Sequence, residues 1–168
     1  KKMTRSNFLS GVGGDNTPAF YAYMSSNQTG ISDTTYTTVE FDAESFDSDS
    51  AYNTSTYTFT VPSGEGGKYL IGLRIAPYFY SDKGYQVQQN LYLNSSERIE
   101  YGVIDEPSND NSRYGGVNSE TVILTLSAGD TIRAEVYGNT RGNNSFQVSG
   151  SGGARKGSFF WGYKLIGL

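Results

Sequence analysis

The segment from Phe41 to Leu73 reads FDAESFDSDSAYNTSTYTFTVPSGEGGKYLIGL, and its large side chains recur at intervals that an irregular loop does not produce. Five residues separate Phe41 from Asp47, four separate Asp47 from Tyr52 and six separate Tyr52 from Phe59, before Gly67-Lys68-Tyr69-Leu70-Ile71-Gly72-Leu73. This order predicts a strand, a turn-rich excursion, a second strand, a glycine-rich turn and a third strand. Tyr57, Phe59 and Val61 alternate with Thr56, Thr58 and Thr60, as in a strand with one face buried. In the next strand Tyr69, Ile71, Leu73 and Ile75 share one face, with Leu70, Gly72 and Arg74 on the other. Pro62–Gly66 carries the turn chemistry between them. Phe41, Tyr52, Phe59 and Tyr69 therefore come from separate strands and are expected to meet in one core.

The same alternation extends outward. Ala19–Met24, Thr34–Phe41, Gln86–Asn94 and Arg98–Ile104 all read as strands. Val122, Leu124 and Leu126 alternate with Thr121, Ile123 and Thr125; Ala128-Gly129-Asp130 turns the chain into Thr131–Tyr137, where Ile132, Ala134 and Val136 line one side. Phe146-Gln147-Val148 and Phe159–Ile166 follow. No window combines helical periodicity with caps at both ends. Residues 1–17 read as a flexible arm, and 18–168 as one β domain. Gly11, Gly13 and Gly14 in the arm lack the preceding strand and following helix of a phosphate loop.

At 168 residues the chain is long enough to bury a core without staples. It has no cysteine and no histidine, which excludes disulfides, thiol and histidine-dependent catalysis, and histidine metal sites. The 14 Tyr and 9 Phe argue against disorder, and 21 Gly beside abundant Ser, Thr and Asn favour a turn-rich all-β domain. A net charge of -4 argues against a basic nucleic-acid groove, so Lys1, Lys2 and Arg5 are read as a solvated arm. No apolar run reaches the roughly 18 residues of a membrane helix, and Lys1-Lys2-Met3 is not followed by the apolar stretch of a signal peptide.

The ladder resembles the signature of the C1q domain: Phe, five residues, Asn or Asp, four residues, an aromatic or Leu, six residues, Phe, five residues, then Gly-x-Tyr-x-Phe-x-aromatic. Phe41, Asp47, Tyr52 and Phe59 fall in register. The chain departs in having seven residues before Gly67, Ile71 for Phe and Leu73 for the last aromatic. Pro18-Ala19-Phe20, the Val122–Ile132 strand-turn-strand and Ser158–Leu165 extend the likeness over residues 18–168. The resemblance implies a ten-stranded jelly-roll β-sandwich of the C1q/TNF type, assembled as a homotrimer, that binds rather than catalyses. The closing strand supports this independently. Phe159, Trp161, Tyr163 and Leu165 occupy one alternating set and Phe160 and Ile166 the other, so both faces need cover. Phe41, Tyr52, Phe59, Tyr69, Phe160, Trp161, Tyr163 and Leu165 are the expected core and trimer contacts.

Asp42, Glu44, Asp47 and Asp49 crowd one segment; Asp47 belongs to the ladder, and the others are read as a solvated acidic loop rather than a hydrolytic carboxylate pair. No cofactor is required; calcium is the ion that the Asp and Asn oxygens suit, with no ligands assigned. The polar, Pro-broken stretch 105–114 is long enough to protrude, and Asp105, Glu106, Asn109, Asp110, Arg113 and Tyr114 are its receptor-binding candidates. Asn27, Asn53, Asn94 and Asn143 fit the N-glycosylation pattern.

The phrase Phe59–Tyr69 and the closing Gly-Tyr-Lys-Leu-Ile resemble the C1q-like modules of phage and marine bacterial proteins. The expected role is the trimeric head of a phage tail fibre or capsid fibre. Its arm would join other virion proteins, and its loops would bind a host-surface glycan or protein. No enzymatic activity, nucleic-acid partner or membrane insertion is expected, and the expected location is the outside of a virion or otherwise a secreted protein. The alternatives are a non-adhesive decoration or plug, or a secreted C1q/TNF-like ligand.

Overall fold

The computed structural model describes residues 16–79, 84–105, 118–140, 145–150 and 157–165. Among them there is no helix. Two antiparallel sheets carry the fold.

In the first sheet, β1 (Ala19–Tyr23) lies between β4 (Ala43–Asp47) and β14 (Phe159–Leu165). Beyond β14 come β7 (Gly67–Ile75) and β11 (Asn118–Leu126). The second sheet runs β10 (Glu97–Asp105), β9 (Gly84–Leu93), β12 (Thr131–Thr140), β6 (Thr58–Thr60) and β5 (Tyr52–Asn53). These two rows of five are the ten strands of the expected jelly roll. Four more strands appear beside them. β3 (Thr37–Thr38) pairs with β12, and β2 (Gln28–Ile31), β13 (Phe146–Val148) and β8 (Pro77–Phe79) form a small third sheet. The third sheet arises where the chain leaves β7: the Ala76 N–H donates to Ser158 Oγ (3.0 Å), and its carbonyl accepts from the Ser149 N–H (2.8 Å).

The faces follow the sequence alternation. Tyr69, Ile71, Leu73 and Ile75 are buried on β7, as are Ile132, Ala134 and Val136 on β12 and Phe20 and Ala22 on β1. Between the sheets, Phe20 stacks on Phe59 (4.7 Å) and Tyr52 (5.3 Å) and meets Phe160 edge-on (4.9 Å). Each such pair adds about 0.5–1.5 kcal/mol beyond the area it buries.

Three local expectations change. Part of the acidic segment, Ala43–Asp47, is a strand, β4, paired with β1, while Asp42 and Asp49 lie outside it; Asp47, a rung of the ladder, accepts the Ala51 and Tyr52 N–H groups. Tyr57 sits in a turn at φ 57° and outside any strand: Asn53 Oδ1 accepts the Ser55 and Thr56 N–H groups, so β6 starts only at Thr58. In the predicted strand Thr34–Phe41 only Thr37–Thr38 is regular, since Thr34 has φ 53°.

Candidate functional site

The predicted receptor residues are placed only in part. Asp105 ends β10, whereas Glu106, Asn109, Asp110, Arg113 and Tyr114 lie outside the described residues. Among the described residues no three Asp or Glu converge as a metal site. Asp42 instead accepts the Ser25 N–H (2.7 Å) and hydroxyl (2.5 Å). Of the glycosylation candidates, Asn94 has its amide engaged: Nδ2 donates to Asp130 Oδ1 (2.9 Å) and Oδ1 accepts the Thr131 N–H (3.0 Å). That contact and the Ser127 N–H hold the Asp130 carboxyl below the usual carboxylate range.

The eight expected core and trimer residues divide cleanly. Phe41, Tyr52, Phe59, Tyr69 and Phe160 are buried between the sheets. Tyr52 donates its hydroxyl to the Phe41 carbonyl (3.1 Å); burial raises its pKa, and Tyr57, Glu44 and Asp42 nearby add to the rise. Tyr69 donates to the Glu65 carbonyl (2.6 Å), and burial, with Glu65 and Asp49, pushes its pKa up to about 12. These phenols are structural.

Trp161, Tyr163 and Leu165 point the other way. On β14 the core positions are Phe160 and Gly162, while Phe159, Trp161, Tyr163 and Leu165 lie half-buried on the outer face of the first sheet. Strand pairing brings further apolar groups beside them. Trp161 lies opposite Tyr21 on β1 and Gly72 on β7, and Tyr163 opposite Ala19 and Leu70; Leu70 in turn faces Ile123 on β11. Tyr21 faces Phe46 on β4.

Ring contacts gather the aromatic members into two groups, which the pairing of Tyr21 with Trp161 sets side by side. Trp161 stacks on Tyr163 (5.9 Å, 18°) and Tyr21 on Phe159 (5.4 Å, 25°), with Phe46 beyond at 6.3 Å from Tyr21. Arg74 sets its guanidinium 5.5 Å from the Phe159 ring centre. Gly72 makes room for the indole, because a Cβ there would stand 2.1 Å from Trp161 Cε2. Burial raises the Tyr21 pKa, with Arg74 opposing the rise.

Two members remain well exposed: Phe46 at 54% and Ile123 at 59%. A contiguous apolar face of this kind on a single subunit marks an interaction surface. Sequence inspection singled out β14 but missed the contributions of Tyr21, Phe46, Leu70 and Ile123. The signal existed at β1, whose alternating sets Phe20/Ala22 and Tyr21/Tyr23 both carry aromatic residues, and at Ile123, an Ile between Thr121 and Thr125.

Neither a family model nor a curated protein matches the chain. Solved structures do. The globular domain of zebrafish complement 1qA superposes with a TM-score of 0.60 at 17% identity, covering 89% of this chain and 98% of that one. Eiger TNF from S. frugiperda gives 0.56 at 15% identity over 89% and 93% of the two chains. Murine APRIL gives 0.59 at 14% identity over 88% and 98%. The chain thus has the C1q/TNF-like jelly-roll fold. At such identities the likeness is one of fold.

Proposed function

We propose that this chain is the trimeric head of a virion fibre, built to attach to a glycan or protein on a host surface. The observation that carries the reading is the aromatic face of the first sheet. Tyr21, Phe46, Leu70, Ile123, Phe159, Trp161 and Tyr163 form an apolar surface that the described residues leave half-open. Packing against copies of itself covers the face on every subunit at once, as closed cyclic symmetry requires. The predicted arm, residues 1–17, would join the head to other virion proteins, and the 105–114 segment, with Arg113 and Tyr114, would contact the receptor. Three copies would raise the avidity of a weak single site.

Sedimentation equilibrium tests the assembly. A mass near three times 18.3 kDa is expected, and a monomer at micromolar concentration overturns it. Retention of the labelled trimer on intact host cells tests attachment. A trimer that no cell retains points to a decoration or plug protein instead.

A further inference from the structure

We propose that the cleft between β2 and the segment Thr37–Glu40 binds a neutral saccharide unit. Its lining includes no residue of the aromatic face and none of 105–114.

The cleft exists because two strand edges are held apart. β2 pairs with β13 on one side, and its other edge looks toward Thr37–Glu40, which lies along β12. Instead of a backbone ladder, a single side chain spans the gap. Gln28 Nε2 donates to the Thr38 carbonyl (2.9 Å), and Gln28 Oε1 accepts the Glu40 N–H (3.1 Å). Its carboxamide thus stands where a peptide unit of a neighbouring strand would stand, one side-chain length away. Beyond this bridge opens a cleft of about 450 Å³, walled by Thr29, Gly30, Ser32, Thr37 and Glu40. That volume lies within the range of small-ligand sites, about 300–1,000 Å³.

The walls are interrupted in pairing yet fixed in place. Phe146 opposes Ile31 and Val148 opposes Gln28, so Thr29 and Gly30 together face the single residue Gln147. This bulge releases β2 from its ladder at the middle of the wall, with Gly30 at φ 71°. An added Cβ at Gly30 would meet nothing within 4 Å, so the glycine serves the backbone conformation and leaves the cleft open. Behind the wall, Asn27 Oδ1 accepts the Gly150 N–H (2.9 Å), Asp33 Oδ1 accepts the Thr140 N–H (2.6 Å), and Thr34 N–H donates to the Gly138 carbonyl (2.8 Å). The cleft is therefore organised before any ligand arrives, which lowers the ordering cost of binding.

Its chemistry selects the ligand class. Thr29 and Ser32 line the cleft with hydroxyl groups that can donate and accept, Thr37 adds one that donates to the Thr35 carbonyl (3.5 Å), and Glu40 adds a carboxylate that can accept from paired hydroxyls. The wall carries no cation, and the chain is net negative at -4, so an anionic ligand finds no counter-charge. A neutral, hydroxyl-rich ring matches the wall; phosphate and acidic sugars do not.

Amide-resolved NMR titration of the intact chain with maltose, lactose and N,N′-diacetylchitobiose tests the site, with N-acetylneuraminic acid as the anionic comparator. Saturable shifts at residues 28–32 and 37–40 are expected with at least one neutral sugar, and at least about tenfold weaker binding of the acidic one. Ser32→Trp, on an exposed position, should fill the cleft and abolish those shifts, and Thr29→Arg should do the same if the tryptophan fails to fold. Glu40→Gln should weaken binding about threefold or more. Thermal midpoint and sedimentation should match wild type in every variant. The proposal is overturned by saturation that maps elsewhere, by the absence of saturable shifts with all three neutral sugars at tens of millimolar, or by unchanged binding in folded Ser32→Trp and Thr29→Arg. A chain that trimerises and adheres to cells while failing this test leaves the fibre-head reading standing.

Discussion

Asp47 belongs to an acidic run, yet its two carboxylate oxygens accept the N–H groups of Ala51 and Tyr52, both at 3.0 Å. It closes the turn that delivers Tyr52 to the core, which is why a carboxylate or amide suits this rung of the ladder. Asp47→Ala leaves two part-buried donors without their charged acceptor and should cost about 2 kcal/mol. For a chain of this length that is a drop of about 4–8 °C in thermal midpoint, measurable by calorimetry, with Asp47→Asn losing less. The buried phenols set the alkaline limit. Tyr52 and Tyr69 have folded pKa values above their ordinary 10.0. The folded state therefore holds their protons after the unfolded state has released them. Their contribution is complete below pH 10 and declines as pH rises from there through the folded values, near 12 for Tyr69. Denaturant midpoints should be level from pH 8 to 9 and fall beyond about pH 10; a midpoint that rises between pH 9 and 11 contradicts the assignment.

At the scale of elements, what was legible in the sequence depended on whether one face was polar. β7 and β12 alternate cleanly, and their buried sets are legible in the sequence. β14 is apolar on both sets, so alternation alone left open which faced the core; the tie is broken by Gly162, whose lack of a side chain admits Ile71 and Phe20. The Gln28 bridge and the cleft beside it gave no sequence signal, because a polar side chain replacing a backbone ladder leaves no periodicity. β9 is the opposite case, with Gln88, Gln89 and Asn90 consecutive and all buried. Gln89 faces the core between Val87 and Leu91, opposite Val136, and among the described residues neither of its amide atoms has a hydrogen-bond partner. A buried polar group without a partner destabilises, and an apolar replacement of similar shape removes that cost. Gln89→Leu should therefore raise the thermal midpoint by about 2–4 °C, corresponding to about 1 kcal/mol. A midpoint that falls by as much would mean that the amide is satisfied by water in the folded protein.

For the whole molecule, the proposed trimer gives the two faces of β14 different tasks, folding on one side and assembly on the other. Phe160 holds the sandwich together within one subunit, while Tyr163 lies on the outer face, half-buried and stacked on Trp161. A charge at position 163 stays in contact with solvent in a lone subunit and costs that subunit little. Across a dry seam between subunits the same charge is unpaired and costs several kcal/mol, and closed symmetry repeats the penalty at every interface. Tyr163→Asp should therefore yield a folded monomer, with the far-ultraviolet circular dichroism of the parent and one third of its sedimenting mass. Phe160→Asp, by contrast, should fail to fold. Mass action supplies a second readout: the parent's thermal midpoint should climb with protein concentration, as it does for any folded assembly that dissociates on unfolding, while that of Tyr163→Asp should not move. If Tyr163→Asp keeps the parent's mass and concentration dependence, the aromatic face is not the seam, and the subunits must join through another surface.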